Sequence, residues 1–162
     1  MNTKITFSAV RTFVFNEDSD LKLLLLRRAQ GKTFEGQEEP PGGKIKLAED
    51  PKKAAQREIF EECGYFIHQS QLRYIGQRKF LAREGGLGVE FFFCAHKRSS
   101  PIILPPADHE SFRWVSLPDI KAANISCEVR KFFLNHLDLI FNEHYCLWLR
   151  RNATTLDLSK QF

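Results

Sequence analysis

Cysteine is scarce in this sequence and forms no closely spaced pair. The four cysteines of the 162-residue chain are Cys63, Cys94, Cys127 and Cys146. Zinc sites and disulfide frameworks need cysteines at short, regular spacings, so neither is expected here. We expect buried or half-buried free thiols in a reducing compartment.

Long apolar runs and dense clusters of charge are also missing. No segment reaches the length of a membrane-spanning helix, and residues 1–5 lack the apolar stretch of a signal peptide. Lysine and arginine are scattered, and the net charge of +4 at pH 7 comes without a basic arm for nucleic acid. We therefore expect a cytoplasmic protein with no membrane partner and no stable nucleic-acid partner.

Internal repeats and low-complexity tracts are absent, which excludes solenoids and disordered linkers. The length and the apolar content allow one domain over residues 1–162 and leave little room for a second. Residues 142–162 form a tail whose structure the pattern does not predict.

The order of the apolar segments predicts one α/β domain. Strands are predicted over residues 5–15, 21–26, 72–81, 89–96 and 112–115. Residues 31–44, which contain Pro40-Pro41-Gly42-Gly43, are predicted to form a loop. A helix is predicted from Pro51 to Gly64 with Asp50 as its N-cap. Apolar residues at helical spacing predict another long helix over residues 127–141.

Three glutamates share one face of the first predicted helix. At about 100° per residue, Glu58, Glu61 and Glu62 fall on one arc beside the apolar edge. Carboxylates this close repel one another and raise each other's proton affinity. A divalent cation would remove that repulsion, and Mg²⁺ prefers such oxygen ligands. The competing interpretation is an ordinary solvated helix face.

The spacing of residues around this arc is specific. Five residues separate Gly43 from Glu49, seven separate Glu49 from Arg57, and the chain continues Arg57-Glu58-Ile59-Phe60-Glu61-Glu62-Cys63-Gly64-Tyr65. This stretch resembles the Nudix box, and every fixed residue of the box is present. Tyr65 departs from the pattern, because an aliphatic residue is usual at this packing position. The chain is therefore identified as a member of the Nudix hydrolases.

The resemblance implies a fold and a metal site. Nudix proteins fold as an α/β/α sandwich with a mixed β-sheet and a catalytic loop-helix-loop. The implied cofactor is Mg²⁺ or Mn²⁺, with Glu58, Glu61 and Glu62 as ligands. The backbone carbonyl of Gly42 or Gly43 would add another oxygen.

Two more residues of the box have supporting roles in this interpretation. Arg57 lies one helical turn before Glu61 and can hold its carboxylate in place. By resemblance, Glu49 is the leading acid of the box, which orients the helix or reaches the metal through water. We count both with the catalytic residues.

The flanks of the box contain cations that relatives use to bind phosphate. Arg27 and Arg28 end the second predicted strand, where family members place such an arginine. Lys44 follows the box glycine and could neutralise phosphate. The competing interpretation of each is an ordinary surface cation.

A further acid is expected from the segment before Trp114, as in many relatives. Glu110 is the first candidate and Asp108 the second. Glu61 and Glu110 are thus competing general bases for the attacking water. His109 lies between the two candidates without a visible partner and is interpreted as an ordinary loop histidine.

The substrate prediction depends on two short segments. Leu26-Arg27-Arg28-Ala29 and Ala122-Ala123-Asn124 resemble MutT-type nucleoside triphosphate pyrophosphohydrolases, in which such an asparagine reads a purine base. Asn124 is therefore a candidate base reader, and its competing role is to begin or cap a helix near Ser126. Pro40 replaces the aromatic residue that MutT-type proteins carry at that position.

The predicted reaction is metal-dependent hydrolysis of the pyrophosphate bond in a nucleoside diphosphate linked to another group. A nucleoside or deoxynucleoside triphosphate is the first choice, and ADP-ribose, nucleotide sugars and dinucleoside polyphosphates are alternatives.

A Nudix module that binds a nucleotide without cleaving it is the rival from another class. Such modules commonly lose helix carboxylates, which are all present here. Removal of RNA caps would need a basic path that the charge pattern lacks. Homodimers are common in the family, and the sequence leaves the oligomeric state open.

Overall fold

The computed structural model describes residues 5–16, 21–64, 66–82, 85–97, 102–103 and 108–141. The chain divides into two units, one ending at Ser126 and the other beginning at Cys127. Tyr65 of the box and the tail over residues 142–162 lie outside the described residues. The single-domain assignment stays a prediction.

A mixed sheet of seven strands forms the frame of the first unit. The strands are β1 Ile5–Asn16, β2 Lys22–Arg28, β3 Glu38–Glu39, β4 Gly42–Lys44, β5 Arg73–Leu81, β6 Leu87–Lys97 and β7 His109–Ser116. β1 and β6 run parallel, and the other strand pairs are antiparallel. The predicted mixed α/β fold is confirmed.

The segment predicted as a loop over residues 31–44 contains two short strands, which corrects that prediction. β1 pairs with β2 at Phe15 and Asn16, and further along β3 pairs with β2 while β4 pairs with β1. A β-carbon on Gly42 would lie 2.2 Å from the carbonyl oxygen of Val10. Glycine therefore allows β4 to approach β1, although glycine in a sequence usually predicts a turn.

The helix predicted from Pro51 is present as α1, Pro51–Cys63. Oδ1 of Asp50 accepts hydrogen bonds from the backbone N–H groups of Lys52 at 2.9 Å and Lys53 at 3.2 Å. Gly64 ends the helix in the left-handed region with φ 68°. The apolar edge of α1 packs on the sheet in a cluster that includes Ala54, Ala55, Ile59, Cys63, Val10, Val14, Leu24 and Leu26.

The helix predicted over residues 127–141 is interrupted, which is a second correction. It consists of α2, Cys127–Asn135, and α3, Leu137–Ile140. His136 lies between them with φ −122° and ψ 21°, outside the helical region. The period of the apolar residues continues across the break, so the sequence pattern does not detect it.

Two 3₁₀ turns, Gln69–Gln71 and Pro118–Lys121, complete the described elements. Cys63 and Cys94 are buried free thiols, as predicted, whereas Cys127 is exposed because it opens α2 ahead of its buried residues. None of the described helices is long and apolar enough to cross a membrane.

Replacement of the N-cap is expected to weaken α1. Asp50→Ala should lower the free energy of unfolding by about 1 kcal/mol, because two N–H groups lose their acceptor. Asp50→Asn is the matched control, since its side-chain oxygen can still accept. Urea unfolding of the three proteins measures the effect, and equal midpoints for Asp50→Ala and the parent would contradict it.

Candidate active site

Two glutamates of α1 face the backbone of β4. The N–H of Gly42 donates to Oε2 of Glu62 at 2.8 Å. A β-carbon on Gly43 would lie 2.7 Å from both carboxylate oxygens of Glu58. Any side chain at Gly43 would therefore displace the Glu58 carboxylate. Gly42 and the box glycine Gly43 thus let the sheet backbone contact the helix carboxylates.

Arg57 holds three glutamates at once. Its Nε and Nη2 donate to the two oxygens of Glu49 at 2.8 and 2.9 Å. Its Nη1 donates to Oε1 of Glu58 at 2.6 Å and to Oε2 of Glu61 at 2.9 Å. Nη2 also donates to the carbonyl of Lys44 at 3.0 Å. The predicted Arg57–Glu61 pair is present. The planar guanidinium of Arg57 also connects α1 to the preceding segment through Glu49 and the carbonyl of Lys44.

These contacts separate the pKa values of the carboxylates. Hydrogen bonds from Arg57 lower the pKa of Glu49 to about 2. Burial raises the pKa of Glu62 to about 8, and the negative charges of Glu39 and Glu58 add to the rise. Burial also raises the pKa of Glu58, against the opposing effect of Arg57. The carboxylates of the buried Glu58 and the half-buried Glu62 therefore favour a proton or a cation, whereas Glu49 stays ionised.

The glutamates of α1 fit a divalent cation by their chemistry. Among the described residues, no three His, Cys, Asp or Glu side chains converge on one metal position. Each glutamate of the arc instead uses one oxygen for a protein donor, Oε1 in Glu58 and Oε2 in Glu61 and Glu62. A carboxylate has a second oxygen that can bind a cation. This set of hard oxygen atoms, on the buried Glu58, the half-buried Glu62 and the exposed Glu61, suits Mg²⁺ or Mn²⁺.

His109 is buried beside this cluster, so its interpretation as a loop histidine without a partner is wrong. Its side chain is 1% exposed, and Nε2 lies 3.2 Å from Oε1 of Glu39. Nδ1 lies 3.8 Å from Oε1 of Glu62. His109 and Glu39 are 70 positions apart in the chain, and they meet because β2 pairs with both β3 and β7. The sequence carries no local signal for this contact.

Glu39 is held by cations as well. Its Oε2 lies 2.7 Å from Nη1 of Arg11, and its Oε1 lies 3.4 Å from Nη1 of Arg28. Burial favours a raised pKa for Glu39, but the hydrogen bond from His109 and the charge of Arg11 outweigh it and lower the pKa to about 2. Arg28, predicted to bind phosphate, is thus paired with the half-buried carboxylate of Glu39.

The two acids proposed outside the box are each paired with a cation. Oε1 of Glu110 lies 2.7 Å from Nε of Arg27, and both side chains are about half exposed. Oδ1 of Asp108 lies 2.9 Å from Nζ of Lys32, and this hydrogen bond lowers the pKa of Asp108. The structure therefore brings together Glu110, a candidate base, and Arg27, a candidate phosphate ligand.

Arg27 and Asn124 both line a cavity of about 320 Å³. Glu38 and Arg113, which form a double ion pair, also line this cavity. The backbone N–H of Asn124 donates to Glu38 at 3.0 Å, and its Nδ2 donates to the carbonyl of Gly36 at 3.1 Å. Sequence reasoning identified Arg27 and Asn124 but missed Glu38 and Arg113, which are 75 positions apart.

A larger cleft of about 830 Å³ lies between the first residues of β1 and the loop before α1. Its lining includes Lys44, Glu49 and Arg57 together with the apolar residues Phe7 and Leu47. The ammonium of Lys44 lies 5.6 Å from the centre of the Phe7 ring. Cationic and apolar groups thus share a cleft beside the helix carboxylates.

These features define a class of protein in which a loop-helix-loop presents clustered glutamates against a mixed sheet. A family model described as the NUDIX domain matches residues 6–135. The chain belongs to the NUDIX family, and this membership confirms the predicted pyrophosphohydrolase class.

Solved structures agree with this assignment. The MutT protein from Methanosarcina mazei Go1 is 25% identical with a TM-score of 0.72, covering 86% of this chain and 97% of that chain. The E. coli dihydroneopterin triphosphate pyrophosphohydrolase is 18% identical with a TM-score of 0.65, and the match covers 83% of this chain and 99% of that chain. A C. elegans Ap4A hydrolase is 22% identical with a TM-score of 0.63, and the match covers 78% of this chain and 92% of that chain. The last two show a shared fold alone. No curated protein matches the sequence.

The metal-free protein is expected to lose stability as the pH rises towards 8. The pKa of Glu62 is about 8 in the folded protein against an ordinary 4.5, so between these values the folded state holds a proton that the unfolded state has released. The stabilisation is complete below pH about 4.5 and is lost as the pH rises through about 8. Glu62→Gln, which stays neutral, should flatten the decline in urea unfolding with EDTA. Equal declines in both proteins would contradict this.

Proposed function

We propose that this protein hydrolyses a phosphoanhydride bond of a nucleoside triphosphate with Mg²⁺ or Mn²⁺ as cofactor. The observation that carries the proposal is the placement of the buried Glu58 and the half-buried Glu62 against the backbone of Gly42 and Gly43. Burial of acidic groups without a cation is costly, and phosphate-bound divalent ions are the usual partners of such sites.

The residues of the box hold the cofactor and direct it towards phosphate. Glu58, Glu61 and Glu62 supply carboxylate oxygens, and the carbonyl of Gly42 or Gly43 adds another. When bound, the cation offsets phosphate charge and favours ionisation of the attacking water.

The remaining charges of the box keep this arrangement in place. Glu49 stays ionised and fixes the guanidinium of Arg57 through two hydrogen bonds. Arg57 in turn orients Glu58 and Glu61 through its Nη1. A nucleotide binding beside the helix therefore meets carboxylates that are already positioned.

Two carboxylates compete to accept the proton of the attacking water. Glu61 is 48% exposed and lies 3.7 Å from Nζ of Lys46. Glu110 is 43% exposed and pairs with Arg27. Each candidate has a cation beside it that can bind substrate phosphate, Arg57 and Lys46 at Glu61 and Arg27 at Glu110. Because Glu61 is also a proposed metal ligand, the pH profile of kcat at saturating Mn²⁺ decides between Glu61→Gln and Glu110→Gln: the variant that lacks the base should lose the fall in kcat at low pH.

The cavity with Arg27 and Asn124 supports recognition of a nucleobase. Its volume of about 320 Å³ is at the lower end of small-molecule sites and suits a base better than a whole nucleotide. The hydrogen bond to Gly36 fixes the amide of Asn124, whose Oδ1 can accept from a base. Arg27 at the same cavity is a ligand for the phosphates. The E. coli neighbour is named for a triphosphate substrate.

A second candidate is a nucleoside diphosphate that carries another bulky group, as in dinucleoside polyphosphates, ADP-ribose or nucleotide sugars. The observation that favours it is the cleft of about 830 Å³ beside the helix. Phe7 and Leu47 could contact an apolar face of the second group, and Lys44 could bind its phosphate. The C. elegans neighbour is named for a substrate of this kind.

Loss of single helix carboxylates is expected to abolish most turnover. Glu61→Gln and Glu62→Gln should each lower kcat by at least about a hundredfold, because ligand charge is lost while the side-chain shape is kept. Phosphate release measures kcat, and circular dichroism checks that the helix remains. Glu128→Gln, an exposed position of α2, is the matched control. Near-normal hydrolysis by both active-site variants would refute the assignment.

Base recognition is tested at Asn124. Asn124→Ala should raise KM for a purine triphosphate by about tenfold with a smaller change in kcat, because it removes binding shared by ground and transition states. Inorganic triphosphate, which has no base, should show no such rise. Equal rises for both substrates would contradict base reading. Assaying sugar nucleotides and dinucleoside polyphosphates alongside decides between the two candidate substrate classes.

A further inference from the structure

His109 is a buried polar side chain next to the glutamates of α1. His109 is the first residue of β7. Its Nε2 lies 3.2 Å from Oε1 of Glu39, and its Nδ1 lies 3.8 Å from Oε1 of Glu62. Nδ1 is fully buried and has no hydrogen-bond partner among the described residues. A buried polar atom without a partner is unfavourable. The position of Nδ1 opposite the Glu62 carboxylate therefore indicates a role for this atom at the site.

The orientation of the His109 ring is fixed from several strands. Glu39 on β3 contacts Nε2, and Arg11 on β1 lies 2.7 Å from Glu39. Nε of Arg11 also donates to Glu90 on β6 at 2.8 Å. Because this chain of ion pairs crosses the sheet, the ring has little freedom to turn. The direction of Nδ1 is therefore set by the sheet.

Glu62 is held at its other oxygen. The N–H of Gly42 donates to Oε2 at 2.8 Å, and Oε1 is the oxygen that faces His109. A shift of about 1 Å would bring Nδ1 and Oε1 to hydrogen-bond distance. One carboxylate is thus placed between a backbone donor from β4 and a ring from β7.

The geometry points to His109 as a positioning residue for Glu62. With both ring nitrogens carrying a proton, Nε2 donates to Glu39 and Nδ1, after that shift, donates to Oε1, while Gly42 holds Oε2. Each carboxylate oxygen keeps a further lone pair, so Glu62 is held in one rotamer and can still bind the divalent cation. This inference rests on the proposed function, which makes Glu62 a metal ligand. Partners that orient a ligand in this way typically change metal affinity by about 10- to 100-fold.

Two substitutions separate the ring nitrogens. His109→Asn places a polar group near the position of Nδ1, facing Glu62, and His109→Gln places one near Nε2, facing Glu39. We expect His109→Gln, which lacks the group facing Glu62, to weaken Mn²⁺ binding by at least about tenfold, and His109→Asn, which loses only the contact with Glu39, to weaken it less. Electron paramagnetic resonance of Mn²⁺ added to the substrate-free full chain measures both. At saturating Mn²⁺, kcat of His109→Gln should approach that of the parent, whereas its apparent Kd for Mn²⁺ stays raised.

His68→Gln is the matched control, because this exposed histidine caps the turn Gln69–Gln71 and should leave Mn²⁺ binding unchanged. Equal Mn²⁺ affinity for His109→Gln and the parent would overturn the inference, as would equal losses in His109→Gln and His109→Asn. If neither His109 variant folds, Glu39→Gln tests the same series of contacts from Glu39 through His109 to Glu62. Unchanged Mn²⁺ binding by Glu39→Gln would overturn the inference.

Glu62→Gln distinguishes failure of this inference from failure of the proposed function. If Glu62→Gln binds Mn²⁺ as the parent does, the proposed metal site is wrong. If it binds weakly while His109→Gln binds normally, the metal site stands and only the role of His109 is refuted.

Discussion

The guanidinium of Arg57 is the contact on which the candidate site depends. It holds both oxygens of Glu49 and one oxygen each of Glu58 and Glu61, and it also donates to the carbonyl of Lys44. One positive charge therefore opposes three negative ones inside a partly buried cluster. The unbalanced charge favours a divalent cation, and the fixed fork keeps the carboxylates in place for it.

The sheet contributes to this arrangement through backbone rather than side chains. β3 and β4 fill the space where β1 and β2 separate, and this brings Gly42 and Gly43 against α1. Gly42 offers an N–H to Glu62, and Gly43 leaves space for the carboxylate of Glu58. Gly42 needs the absence of a β-carbon to pair with β1, and Gly43 needs it to leave space for Glu58. The glycines thus serve strand pairing and the proposed metal site together.

Neighbouring carboxylates in this site have opposite electrostatic surroundings. Glu49 and Glu39 have pKa values lowered to about 2, with the hydrogen bonds of Arg57 acting on Glu49. At Glu39, burial is outweighed by His109 and Arg11. Burial instead raises the pKa of Glu62 to about 8. The first pair acts as permanent anions that position other groups, whereas Glu62 has the higher affinity for a cation in exchange for a proton.

The sequence by itself determined α1, its caps, its arc of glutamates and the Arg57–Glu61 pair, because these depend on contacts within one or two helical turns. The Nudix spacing also identified Gly43, and the resemblance added Gly42 as an alternative carbonyl ligand. Only the tertiary structure decided that Arg27 and Asn124 share a cavity, that Glu38 pairs with Arg113, and that His109 lies between Glu39 and Glu62. The Glu38–Arg113 and Glu39–His109 contacts join β3 and β7 through their common neighbour β2, and the register of that pairing decides which side chains meet. Residue spacing along one chain does not encode that register.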